Sequence, residues 1–211
     1  MELNHDFTVP VPIEEAWAVL TDLERIAPCM PGAQLQEVEG DEYRGVVKVK
    51  VGPITAQYRG AARIVELDPA SHRAVLRAEG RETRGQGTAA ATVTAELRPD
   101  GSGTAVHLAT DLEVSGRVAQ FGRGVLAEVS EKLLGQFTEE LERTVLAPGN
   151  PDGGRPEPAP APDGPGPRPI EAPERPPVDL LDAAGGSVLK RVLPILAAVV
   201  LVAIWRRRRR R

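Results

Sequence analysis

The sequence predicts an α+β fold: a curved antiparallel sheet wrapped around one long C-terminal helix, then a disordered Pro-rich linker and a C-terminal membrane-anchor helix. Three observations carry this prediction. Apolar and polar residues alternate with period two between residues 43 and 114, in runs separated by turn signals. From Val118 to Leu141 the apolar residues recur every three or four positions. Beyond residue 147 hydrophobic periodicity disappears, until a final apolar stretch flanked by basic residues.

Leu3 to Val9 alternates weakly and reads as a strand. Val11-Pro12-Ile13-Glu14-Glu15-Ala16-Trp17 opens a helix, with Pro12 early in its first turn and two carboxylates at the positive end of its dipole. Ile13, Ala16, Trp17 and Leu20 share one face. Leu23 to Ile26 makes a second short helical turn, stopped by Pro28 and Pro31. About six strands are expected next. Those that can be placed run over 43–51, 54–62, 72–82, 87–97 and 104–114, with Gly52-Pro53, Asp68-Pro69 and Pro99-Asp100-Gly101 among the turns between them. Val118, Phe121, Val125, Val129, Leu133, Phe137 and Leu141 mark one face of a long helix over about 117–146. A sheet with one apolar face and a helix with one apolar stripe are both satisfied when the helix lies in the sheet's concavity. Residues 1–147 therefore read as one domain.

The strands carry unusually small residues: Ala56, Gly60, Ala61, Ala62, Ala78, Gly80, Gly85, Gly87, Ala89, Ala90, Ala91 and Ala95. Aromatic residues make up 3% of the chain, so few large side chains are available to fill a core. Interiors pack to crystal density. Small residues on a concave face would leave room for a ligand; on the solvent face, or tight against the helix, they would not.

Charge is segregated along the chain. Residues 1–147 carry a net −8, residues 148–187 a net −4 and residues 188–211 a net +8. Residues 148–179 hold 12 of the 20 prolines. That composition buries too little apolar surface to fold and favours an extended tether of about 3.1 Å per residue. It shows no clean basic PxxP motif of the kind that docks on SH3-like modules.

Val192 to Trp205 is an apolar run between Lys190-Arg191 and six terminal arginines. The anchor residues are Val192, Leu193, Ile195, Leu196, Val199, Val200, Leu201, Ile204 and Trp205, with Arg206 and Arg207 beginning the basic cap. Fourteen helical residues reach about 21 Å, short of a hydrocarbon core of roughly 30 Å. The N-terminus lacks an apolar signal, which places the domain in the cytoplasm. A spanning helix would then export six arginines, against the positive-inside tendency. Shallow insertion fits the charges; the absence of a polar face fits spanning, so both remain open. A nucleic-acid tail is the weaker reading, given the apolar run beside the arginines. The expected location is the cytoplasmic face of the cell membrane, anchored by the C-terminus.

Catalysis finds little support. His5, His72 and His107 lie on separate strands with no metal-ligand spacing. The single Cys29 rules out an internal disulfide, suits a reducing compartment and reads as structural. The glycines of Gln120-Phe121-Gly122-Arg123-Gly124 read as close packing or a flexible lip rather than an anion site. No catalytic or metal-binding residue is assigned, and the chain is expected not to be an enzyme. Lys48, Lys50, Arg77, Arg81 and Arg84 are expected to be solvated or to contact a partner.

The element order resembles the START-like helix-grip superfamily, in which the space between sheet and long helix is typically a ligand cavity. Several segments resemble more closely the CoxG family, the G subunit of carbon monoxide dehydrogenase. They are Phe7-Thr8-Val9-Pro10 running into Ala16-Trp17, Pro28-Cys29-Met30-Pro31-Gly32-Ala33, Val49-Lys50-Val51-Gly52-Pro53-Ile54-Thr55, Gly85-Gln86-Gly87, and Gln120-Phe121-Gly122-Arg123-Gly124 followed by Leu133-Leu134-Gly135-Gln136-Phe137. The resemblance covers about residues 1–146. It implies an accessory protein of a molybdenum hydroxylase of the carbon monoxide dehydrogenase type, acting in maturation or membrane recruitment. Joined to the anchor and the expected cavity, it suggests a non-covalently bound lipophile, a quinone such as menaquinone, that links the enzyme to the respiratory chain. The cavity wall is then expected from Phe121, Val125, Val129 and Leu133 on the helix, Ile54, Ala56 and Tyr58 on the sheet, and Met30 at the mouth. An assembly factor without ligand, and a membrane-tethered lipid- or polyketide-processing enzyme, are the alternatives.

Overall fold

The computed structural model describes residues 1–146, 168–170 and 178–179. Seven strands occupy residues 1–114: β1 (Glu2–Val9), β2 (Ala33–Glu39), β3 (Glu42–Val51), β4 (Ile54–Asp68), β5 (Arg73–Glu82), β6 (Thr88–Asp100) and β7 (Gly103–Val114). Helices α1 (Ile13–Leu20) and α2 (Leu23–Ile26) lie between β1 and β2, and α3 (Gly122–Thr144) follows β7. The strands pair antiparallel in the order β1-β7-β6-β5-β4-β3-β2. β1 and β2 are consecutive in sequence yet stand at opposite ends of this run, and α1 and α2 carry the chain between them.

Local chemistry explains the short elements. The Asp22 carboxylate accepts from the backbone N–H groups of Glu24 and Arg25 at 3.2 Å, capping α2. Pro28 falls in a 3₁₀ turn over Ala27–Cys29, which ends the helical excursion. The long helix starts later than the apolar spacing predicts. Val118–Phe121 forms a separate 3₁₀ turn, and Gly122, with φ +76°, breaks it from α3.

Glycine also bends the sheet. Gly45, Gly60 and Gly80 stand in one cross-strand row. A Cβ on Gly60 would lie 1.9 Å from the Glu79 carbonyl oxygen, and one on Gly45 would lie 2.4 Å from that of Gln34. The backbones approach so closely there that no side chain fits, as at the tight corners of strongly curved sheets.

The core gathers at one end of this curve. Phe137 and Leu141 of α3 pack with Val9, Trp17, Leu97 and Val106, and Leu141 is 0% exposed. The rings of Phe7 and Phe137 meet edge to face with centroids 6.4 Å apart. Thr104 is sealed within this core and donates its hydroxyl to the Val11 carbonyl at 2.8 Å. Full burial of residues such as Phe137 and Leu141 stabilises by roughly 1.5–3 kcal/mol each.

Part of the predicted linker joins the sheet. Strand β8 (Arg168–Pro169) pairs antiparallel with β2. Ile170 N–H donates to the Gln36 carbonyl at 2.8 Å, and Arg168 Nη2 donates to Glu24 Oε1 at 2.5 Å. Proline is tolerated at such an edge because its missing N–H breaks no inner ladder. Most of the predicted linker, and the whole predicted anchor over 188–211, lie outside the described residues. Among the described residues no helix is long and apolar enough to cross a membrane.

Candidate functional site

The Phe7–Phe137 contact fixes which face of the sheet α3 covers. Phe7, Val106 and Leu97 pair across β1, β7 and β6, so they share that face. Alternation then assigns the rest of it. Tyr43, Ala62, Ala78, Ala91 and Leu112 form one row across β3 to β7. Gly45, Gly60, Gly80 and Ala89 form the next row, and Val47, Tyr58 and Glu82 a third. Most of the small residues prominent in the sequence therefore fall on the concave face; Ala61 and Ala90 fall on the other.

This face is not sealed. Ala62, Ala78, Ala91, Leu76 and Val93 are only half-buried, and Val47 is 40% exposed. Further along the sheet, where α3 brings Phe137 and Leu141, Val9, Leu97 and Val106 are buried. The concave face is thus a packed core at one end and an apolar trough floored by alanine and glycine at the other.

The β3–β4 hairpin brings Ile54, Ala56 and Tyr58 together opposite Val51, Val49 and Val47. Ala56 is buried, while Ile54 and Tyr58 are half-buried. The helix residues are less uniform: Phe121, Val129 and Leu133 are half-buried and Val125 is exposed. A step of four residues overshoots a helical turn by about 40°. The stripe from Phe121 to Leu141 therefore winds around α3 instead of holding one face. Met30 is 48% exposed, beside the 3₁₀ turn that leads into β2.

A polar cluster that sequence pattern does not single out lies in the Val47 row. Glu82 is buried, yet it alternates onto the apolar face of β5. Arg117 Nη2 donates to its Oε1 at 2.6 Å. The Gly85–Gly87 turn folds over the carboxylate so closely that a Cβ on Gly85 would lie 2.3 Å from Oε2. Beside it the Tyr58 hydroxyl is buried, without a hydrogen-bond partner among the described residues. Burial, and next the negative charge of Glu82, push the Tyr58 phenol above its ordinary pKa, with Arg117 opposing. The hydroxyl stays protonated at neutral pH and can donate. The sequence carries one signal of this cluster: a glutamate at an apolar-facing position of a strand, followed by Gly-Gln-Gly.

A second concavity, a groove of about 1140 Å³, runs between β1 and α3. Leu3, Phe7, Ala127 and Leu134 line it together with Glu2, Asp6, Glu128, Glu131, Glu139 and Glu142. None of the predicted lining residues reaches it. Six carboxylates line it, of which Glu128 is bonded to Lys132 and Asp6 lies against His107. So many charged groups make it a poor site for an apolar ligand, because burying them is costly.

The histidines remain apart. His107 Nδ1 lies 2.7 Å from Asp6 Oδ1, and His72 meets the Trp17 ring edge to face. Among the described residues no group of three or more His, Cys, Asp or Glu could hold a metal ion. Cys29 is buried, with Sγ 3.6 Å from Thr144 Oγ1.

Residues 6–146 match the CoxG family, described as the G subunit of carbon monoxide dehydrogenase. No curated protein sequence is matched. Among solved structures, a conserved protein from Geobacillus kaustophilus is 21% identical with a TM-score of 0.59, covering 68% of this chain and 93% of that one. A START superfamily protein from Mycobacterium smegmatis is 12% identical with a TM-score of 0.50, covering 67% of this chain and 94% of that one. At these identities the likeness concerns the fold, which is START-like: a curved antiparallel sheet with a long C-terminal helix.

Proposed function

The chain belongs to the CoxG family, the G subunit of carbon monoxide dehydrogenase, and on that premise we propose that it is an accessory protein that carries a lipophile in the concave trough and holds a molybdenum-containing carbon monoxide dehydrogenase at the membrane. The observation that carries this reading is the half-buried alanine and glycine floor of the trough. An isoprenoid chain laid there would gain about 0.8 kcal/mol per buried methylene. The floor's small side chains leave depth, and the row of Val47 and Tyr58 bounds it.

A quinone such as menaquinone fits this chemistry best. It joins an apolar tail to a ring with carbonyl oxygens. The Tyr58 hydroxyl is a protonated donor without a partner among the described residues, suited to a carbonyl at the head of such a molecule. The Glu82 carboxylate is engaged by Arg117, so it serves as a fixed charge that orders this end of the sheet. The chemistry of electron transfer would belong to the quinone and the dehydrogenase; this chain would supply a dry, shaped site and a place at the membrane.

The anchor is residues 188–211, whose basic side chains would be held by anionic lipid at roughly 1 kcal/mol each. The acidic domain would stand off from the same surface on its tether, at the cytoplasmic face. Membrane fractionation tests the recruitment half of this reading. Cells with the full chain should hold the dehydrogenase in the membrane fraction. Cells with the chain ended after residue 187 should release both proteins to the soluble fraction. Dehydrogenase that stays membrane-bound without residues 188–211 would overturn the assignment of the anchor.

A further inference from the structure

The convex face of the sheet carries an arrangement that costs the fold stability. Arg59 of β4 stands directly opposite Arg81 of β5, and Arg63 directly opposite Arg77. All four are exposed. Directly opposed residues on antiparallel strands lie about 5 Å apart, and like charges there repel. The two pairs are about 13 Å apart along the strands. Between them sit Ala61 and Glu79, and Glu79 is already bonded to Arg77 at 2.8 Å. Among the described residues no carboxylate pairs with Arg59, Arg63 or Arg81. A patch of uncompensated positive charge therefore stands on a domain whose net charge is −8.

Sheet surfaces ordinarily set opposite charges against each other, and this chain does so elsewhere. Arg73 is bonded to Glu66, and Arg44 to Glu37, Glu39 and Glu42. Glu39 and Glu42 also stand opposite one another, but Arg44 bonds both. Among the described residues the square of arginine pairs, on the side opposite the trough, lacks such compensation. We propose that this arginine square is the docking face for an acidic patch on the protein partner, the dehydrogenase of the reading above, on which this inference rests. Guanidinium groups suit carboxylates because their planar forks make paired hydrogen bonds. Placed on the convex face, the contact leaves the trough free to receive or release its ligand. An anionic bilayer is the less suitable occupant, since it would also meet the surrounding acidic domain and be repelled by it.

Stability and docking then respond in opposite directions to the same change. In the full-length R63E/R81E variant each repulsive pair becomes an attractive one, and the Arg77–Glu79 bond is spared. The variant should melt at the same temperature as the parent or higher. Its affinity for the purified dehydrogenase should fall by at least about ten-fold, and the salt sensitivity of the parent's binding should largely vanish. Binding to vesicles of mixed neutral and anionic phospholipid should be unchanged. Unchanged affinity for the dehydrogenase overturns the inference. Vesicle binding lost while dehydrogenase binding is kept makes the bilayer the occupant and also overturns it. A parent protein that does not bind the dehydrogenase sinks the recruitment reading, and this inference with it.

Discussion

Replacing Gly60 with alanine is expected to cost on the order of 3 kcal/mol or more, enough to leave much of the domain unfolded. The new methyl would sit 1.9 Å from the Glu79 carbonyl oxygen and 2.7 Å from the Gly80 Cα. Both are backbone atoms in the middle of the β4–β5 ladder, so neither can swing aside. The ladder must open or the sheet must flatten, and flattening removes the concavity itself. The same substitution at Gly135 should do the reverse. Gly135 lies inside α3 with nothing within 4 Å of its missing Cβ. Alanine there gains helix propensity and should stabilise by about 0.5–1 kcal/mol. Urea unfolding of both variants, followed by circular dichroism, reads the contrast. Similar midpoints for the two would mean that Gly60 does not sit where the sheet bends.

Leu141→Ala is the second large effect. Leu141 is the most deeply buried large side chain and joins α3 to the strands and to α1. Deleting three carbons at such a site costs about 2–5 kcal/mol, including the cavity left behind. In a domain of this size that lowers the melting temperature by about 10 °C. The loss should be global, because the core at this end is what holds the helix over the sheet. Val125→Ala should change the melting temperature little, since Val125 is already 38% exposed. Equal losses at the two positions would contradict the division of α3 into a packed end and an uncovered end.

That division shows what the sequence discloses and what it withholds. Alternation places β3 to β7 because one face of each strand is apolar and the turns between them carry Gly, Pro or Asp. The 3.6-residue rhythm marks α3, and the prolines mark the stop after α2. The strand at Ala33–Glu39 is expected only in number, because its alternation is weak. Spacing alone also cannot say where α3 meets the sheet. Repeated steps of four look like one face on paper, yet they rotate around a real helix, so Val125 and Phe137 end in different surroundings.

The site is legible in its parts. The abundance of alanine and glycine announces a thinly filled interior, and the strand register puts most of those residues on one face. Ile54, Ala56 and Tyr58 share that face because two-residue alternation is rigid. Glu82 and Arg117 escape a sequence reading, since their pairing joins residues 35 positions apart that no local pattern connects. The arginine square is hidden for a similar reason. Arg59, Arg63, Arg77 and Arg81 look like ordinary solvent-facing charges until register sets them opposite one another.

The most direct measurement is mass spectrometry of an organic extract of the full-length protein, purified from membranes in mild detergent, beside an Ala78→Trp variant. Ala78 lies in the middle of the trough floor, and an indole there would fill the space without disturbing the core at Leu141. A quinone near one per chain in the parent, and absent from a variant that still melts cooperatively, is the predicted result. A parent that carries no lipophile, or a variant that carries as much as the parent, would contradict the trough as the ligand site.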